Sequence, residues 1–199
     1  MTAYGQTIER LIEELGKLPG IGARTAERLA FHILKSTSEE AMALAEAIHD
    51  VKTKVRPCGR CFNLAEGDLC SICSDTRRDQ GTICVVEQPK DLLSLEATGA
   101  YRGAYHVLMG HIAPLENLEA EDLTIAPLVE RVRAGGVTEV ILATNPTVAG
   151  DATGLHIQAL LEPLGVKVTR LARGLPTGSQ IEYANKSILS DALADRRLV

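Results

Sequence analysis

The sequence predicts an α/β protein built from several modules in series. Three observations carry this. Amphipathic helical periodicity fills the first quarter of the chain; two Cys-x-x-Cys pairs follow, eight residues apart; and from residue 82 short apolar runs alternate with helical stretches. The chain has 199 residues, 45% apolar and 24% charged, which excludes disorder along its whole length. Aromatics make up 3%, with no Trp and two Phe, so aliphatic side chains fill the core. Stacking of bare bases on many aromatic platforms is then not the main binding mode.

Ile8, Leu11, Ile12, Leu15 and Leu18 recur at helical spacing, with Glu9, Arg10, Glu13, Glu14 and Lys17 between them. Pro19 disfavours helix at the residue before it, so this helix is expected to stop at Leu18. A second helix begins near Ala23, with Ala26, Leu29, Ala30, Ile33 and Leu34 as its apolar stripe. A third follows Thr37, which is spaced with Glu40 as a capping box; its stripe is Ala41, Leu44, Ala45, Ile48 and Val51.

The link Pro19-Gly20-Ile21-Gly22 places two glycines around one apolar residue directly before a helix start. Gly20 and Gly22 permit backbone conformations that other residues avoid. The amides around Gly20–Arg24 then face outward at a positive helix end, which suits a phosphate oxygen. Arg24 and Arg28 lie one turn apart, within reach of neighbouring phosphates. The pattern resembles the helix-hairpin-helix of DNA-binding proteins, whose contacts position a backbone without reading bases. An ordinary tight helix–helix turn with solvated arginines is the alternative.

The net charge is −5, but its distribution is uneven. Residues 1–60 carry nine Lys or Arg against eight Asp or Glu, and residues 61–199 carry twelve against eighteen. Lys17, Arg24, Arg28 and Lys35 face only Glu27 over their stretch, and Lys52, Lys54, Arg56 and Arg60 have no acid between them. A polyanion is expected at the amino-terminal part.

Cys58-Gly-Arg-Cys61 and Cys70-Ser-Ile-Cys73 each set two thiolates on one turn, and together complete a tetrahedral sulfur site that suits one Zn²⁺ per chain. Four protein ligands leave no open position, so such a metal is structural. A redox dithiol, or two buried pairs, is the competing reading. Cys84, inside Ile83-Cys84-Val85-Val86, reads as a buried strand thiol.

Strands are expected at 82–87, 105–109, 139–143 and 166–171, with helices at 89–97, 123–133 and 155–164. This alternation implies a parallel sheet, with its site beyond the carboxyl ends of the strands. Glu87 falls there after the first strand, and Asn145-Pro146-Thr147 with Gly150-Asp151 after the third. The arrangement is similar to the Toprim domain, which carries a Glu after its first strand and Asp-x-Asp after a later one. Here Asn145 and Thr147 stand where the aspartates would be, and an amide and a hydroxyl do not supply the charge a divalent ion needs. His106 and His111 flank a strand end near this crevice, and 115–122 reads as a solvated loop.

The series of modules resembles, along essentially the whole chain, the bacterial recombination mediator RecR family. Its marks are Leu18-Pro19-Gly20-Ile21-Gly22, the four cysteines, Thr82 to Glu87, Ile141 to Pro146 and the tail Gly174-Leu175-Pro176-Thr177-Gly178. The expected layout is a helix-hairpin-helix at 1–54, a four-cysteine zinc finger at 55–78, a Toprim domain at 79–172 and an oligomerisation tail at 173–199. The resemblance implies a cytoplasmic, non-enzymatic DNA-repair protein with no catalytic residue. It would work with RecO and RecF to load RecA at single-strand gaps, as a dimer or ring-like tetramer. DNA contacts are expected at Lys17, Gly20, Gly22, Arg24 and Arg28, and partner contacts at Glu87, Asn145 and Asp151. The alternative is a Mg²⁺-dependent Toprim nuclease or strand-transferase using Glu87 and Asp151. No targeting segment is read at the start, and no apolar run approaches the roughly 20 residues a membrane span needs.

Overall fold

The structure, a computed structural model, describes residues 4–196. The outermost residues of the first and last expected modules, 1–3 and 197–199, lie outside that range. The chain forms two compact units, Met1–Val55 and Arg56–Val199.

The first unit holds α1 (Gln6–Gly16), α2 (Ala23–Lys35) and α3 (Ser38–Lys54). α1 and α2 pack through small residues: Ala26 and Ala30 are fully buried, and Gly16 faces the Ala26 methyl. Tyr4 meets Phe31 edge-on, and its hydroxyl donates to Glu27. α1 ends at Gly16, two residues before the expected stop, with Lys17 as its C-cap. α3 starts where the capping box predicts. Thr37 accepts from the Glu40 amide, and Glu40 in return accepts from the Thr37 amide. The expected apolar stripe of α3 is present in sequence but stays uncovered, because the helix buries no residue.

The second unit opens with a two-stranded antiparallel ribbon, β1 (Arg56–Pro57) and β2 (Leu64–Ala65), and the short α4 (Ser71–Ser74). The sheet follows: β3 (Asp79–Val86), α5 (Pro89–Glu96), β4 (Gly103–Val107), α6 (Ile125–Arg133), β5 (Glu139–Leu142), α7 (Val148–Leu161) and β6 (Lys167–Arg170). The strand order is β4-β3-β5-β6 and every pairing is parallel. β3 is central and covered on both faces, which is why it reads as a continuous apolar run and not as an alternation. Ile83 and Val85 point into one core with Leu128, Val140, Ile157 and Leu161. Cys84 and Val86 point into the other, with Leu92, Tyr105 and Val107, and this second core also contains all four knuckle cysteines.

Two elements depart from the sequence reading. α7 begins at Val148, seven residues before the expected start, so Gly150 and Asp151 lie in its first turn and not in a loop. Thr147 caps it by accepting from the Gly150 amide at 3.0 Å. The small residues of its first two turns carry no apolar period, and that hid the helix. The tail also folds: α8 (Lys186–Ala194) is capped by Asn185, which accepts from the Ile188 amide at 2.9 Å.

Candidate nucleic-acid interface, metal centre and sheet crevice

The α1–α2 turn is built on Gly20, whose φ of +78° is a left-handed conformation costly for residues with a Cβ. The Ile21 amide closes the turn by donating to the Leu18 carbonyl at 3.0 Å, and its side chain is half-buried. Gly22 has an ordinary extended backbone, so conformational freedom is not its role. As the N-cap of α2 it brings no side chain to the helix end, and no atom crowds its Cα. The Thr25 and Ala26 amides donate to the Gly22 carbonyl at 2.9 Å, so the amides of Ala23 and Arg24 are the ones open to an anion or water, where the helix field is positive. Arg24 and Arg28 are exposed beside this end and make no ion pair among the described residues. Lys17 is tied to Glu14 at 2.8 Å, a surface pair that water largely screens. Arg24 also borders a groove of about 330 Å³ shared with Glu9, Glu13 and Glu27, so acids temper the positive field on that side.

The metal centre joins the turn after β1 to the start of α4. The Sγ atoms of Cys58, Cys61, Cys70 and Cys73 lie within 4.8 Å of one another, and all four residues are buried. The backbone holds them there: the Cys58 amide donates to the Asn63 carbonyl at 2.7 Å, and the Gly59 amide to the Asp68 carbonyl at 2.9 Å. Phe62 takes a left-handed φ of 62° to turn the chain after Cys61, and the Cys70 amide donates to the Cys58 sulfur at 3.3 Å. Hydrogen bonding, chiefly from Cys61, draws the Cys73 thiol down to about 6, and Cys61 is pushed up as the donor. Four buried, converging sulfurs with no carboxylate or imidazole among them fit one structural zinc, and leave no coordination position for a substrate.

This centre is stitched to the sheet. The Val107 amide of β4 donates to the Cys61 carbonyl at 2.8 Å, and Phe62 stacks edge-on against His106 at 5.3 Å. His106 is fully buried and its Nε2 lies 2.8 Å from the Thr124 carbonyl, which requires the proton to sit on Nε2. Burial pushes its pKa down to about 4. Arg131 of α6 donates to the Tyr105 carbonyl at 2.8 Å. Burial works against its charge, and the nearby Cys73, Cys61 and Cys58 sulfurs work for it.

In the crevice, Glu87 is 3% exposed and its carboxylate is fully engaged. Oε1 accepts from the Asn145 amide at 2.7 Å; Oε2 accepts from Asn145 Nδ2 at 2.7 Å and lies 3.2 Å from His111 Nδ1. Gly150 permits this closeness, because a Cβ there would run into the Asn145 carbonyl and come within 2.7 Å of Glu87 Oε1. Thr147 is occupied in capping α7. Asp151 points to another set of partners: Arg173 grips it with both terminal nitrogens and Arg170 approaches at 3.6 Å. The Arg173 guanidinium holds this carboxyl below its usual range. The structure thus joins Glu87 to Asn145 and sends Asp151 elsewhere. Sequence reasoning missed His111 as a partner of Glu87, Arg173 as the clamp on Asp151, and Arg131 beside the sulfurs. For Arg131 the only available hint was a charged residue at a position adjoining the apolar stripe of α6.

Family models match three consecutive stretches of the chain. These are a RecR helix-hairpin-helix at residues 8–52, a RecR four-cysteine zinc finger domain at 55–75 and a Toprim domain at 81–172. Among curated relatives, Recombination protein RecR of Rhodopirellula baltica is 54% identical over 197 residues, covering 99% of both chains. That of Rubrobacter xylanophilus is 55% identical with the same coverage. That of Chloroflexus aurantiacus is 57% identical over 190 residues, 96% of this chain and 93% of the relative.

Proposed function

The chain belongs to the RecR family of recombination proteins, and from that premise we propose that it serves recombinational DNA repair as a DNA-gripping mediator without turnover. It works with RecO and RecF in the cytoplasm to load RecA at single-strand gaps. One observation carries the DNA contact: an uncapped helix end behind the Gly20 turn, flanked by Arg24 and Arg28, which bind no carboxylate among the described residues. Open amides, a helix field and two exposed guanidiniums suit phosphodiester oxygens regardless of base. Lys17, Gly20 and Gly22 complete this surface.

Self-association as a dimer or ring-like tetramer is supported by apolar surface that the single chain leaves bare. On α3, Leu44, Ile48 and Val51 are exposed, and in the tail Ile181, Tyr183 and Leu193 are exposed. The crevice at Glu87, Asn145 and Asp151 is assigned to partner contact and not to catalysis. Glu87 is held by Asn145 and His111, and Asp151 by Arg173 and Arg170, so the two carboxylates are turned to different partners and not to one ion.

The test is DNA binding followed by anisotropy across a salt series. R24A/R28A should weaken binding and lower the slope of log K against log salt by about 2, one per lost phosphate contact. Unchanged affinity in that variant removes the hairpin as the DNA surface. Cleavage of DNA by purified protein with Mg²⁺, abolished by Glu87→Ala, overturns the non-enzymatic reading in favour of a Toprim nuclease.

A further inference from the structure

We propose that Arg131 is the counter-charge of the zinc centre, so that metal occupancy and the seating of α6 on the sheet stabilise each other. The inference rests on the zinc reading of the four cysteines. Four thiolates around one Zn²⁺ carry a surplus of two negative charges. Buried charge is costly unless hydrogen bonds and opposite charge compensate it. Two guanidiniums lie by the knuckles. Arg60 is exposed and donates to the Cys73 carbonyl at 3.3 Å. Arg131 is half-buried and donates to the Tyr105 carbonyl of the edge strand β4, two residues from the Val107 amide that donates to the Cys61 carbonyl.

Arg131 makes no ion pair with a carboxylate among the described residues. Its one fixed contact is the Tyr105 carbonyl, a neutral acceptor. Tyr105 packs in the core that contains the four cysteines, and two residues along, Val107 holds the Cys61 carbonyl. A half-buried cation with a single neutral acceptor needs an anion, and the sulfurs supply it. When zinc leaves, the four sulfurs are no longer held together as one anionic cluster, and Arg131 is left with the Tyr105 carbonyl alone. Metal loss then weakens the sheet domain and not only the knuckles.

The experiment compares full-length R131Q, which keeps a hydrogen-bond donor without charge, with R131K, which keeps the charge. Zinc affinity is read by competition with a chromogenic chelator, and the cobalt-substituted proteins are compared by their thiolate-to-cobalt charge-transfer band. We expect R131Q to lose about 10-fold or more in zinc affinity and to shift the band. R131K should keep most of the affinity and the wild-type band. R131Q should also lower the unfolding temperature of the zinc-loaded protein more than that of the zinc-free protein. Equal losses in the two variants assign Arg131 to packing or to the Tyr105 bond and overturn the proposal, as does unchanged affinity in R131Q. If R131Q does not fold and R131K does, the charge requirement stands; if neither folds, the proposal falls. Wild-type protein without stoichiometric zinc would sink the metal reading itself, separately from these comparisons.

Discussion

Along α3, seventeen residues run without burying one, whereas β3 ends in four buried residues in a row. The contrast extends to the two units that contain them. Among the described residues of the helical unit the buried apolar ones are Ala26 and Ala30, both small, so α1 and α2 approach closely but hide little surface. In the sheet unit, two apolar cores sandwich the strands, and one of them absorbs the metal centre. The lesson is that amphipathicity states what a helix needs and not whether its own chain provides it. α3 carries an apolar stripe, weaker than that of α2, and among the described residues it buries none of it while α2 buries Ala26 and Ala30.

The largest effect that would sharpen this contrast comes from removing the metal. Structural zinc in small Cys sites is worth about 10–16 kcal/mol of apparent binding energy, much of it folding energy. Chelation is expected to expose the amides of β3 and β4 to hydrogen exchange, because their core includes the cysteines, while exchange in α1 and α2 stays as it was. Sheet amides that remain protected after zinc is lost would break the link between centre and sheet.

Acid provides the next test. His106 is neutral in the fold, with a pKa near 4 against about 6.5 in an unfolded chain. Between those values the unfolded chain binds the additional proton, so stability falls as pH drops from about 6.5 to 4 and levels off below. The span corresponds to about 3 kcal/mol. Denaturant titrations at a series of pH values should show that slope, and His106→Phe should flatten it. An unchanged slope in the variant would place the acid sensitivity elsewhere.

A smaller effect is expected at the crevice. Gly150→Ala pushes a methyl into the Asn145 carbonyl and toward Glu87, with an expected loss of about 1–3 kcal/mol from overpacking. Thermal unfolding measures it, and a neutral result would mean that the loop after β5 yields easily. The smallest belongs to the helical unit. Thr37→Ala removes one half of the capping box of α3 and should cost about 1 kcal/mol. If α3 is covered by another copy of the chain, that loss should shrink at high protein concentration, which sedimentation alongside circular dichroism would reveal.

Local chemistry was legible in the sequence wherever one residue type has one physical use. The Thr37–Glu40 box, the Gly20 turn and the two Cys-x-x-Cys knuckles each took the conformation their spacing predicts. β3 was legible because a buried parallel strand leaves an unbroken apolar run, whereas β6, Lys167-Val168-Thr169-Arg170, buries none of its residues. Less visible was anything decided by packing at a distance. The first turn of α7 needs Gly150 because the Asn145 carbonyl and Glu87 lie against it, and small residues without a period read as loop. The crevice showed the same limit. Spacing brought out Glu87, Asn145 and Asp151 together, but the partner of Asp151 is Arg173, twenty-two residues along the chain, and no local pattern announces it.

The placement of the four sulfurs inside a packed core bears on chemistry outside the fold. Oxidants and electrophiles attack thiolates that they can reach, and here none of the cysteines exceeds 7% exposure. Peroxide damages DNA and strips zinc from open thiolate sites alike. A centre whose cysteines share a core with Leu92, Tyr105 and Val107 is expected to keep its ion through the same oxidative insult that creates the lesions.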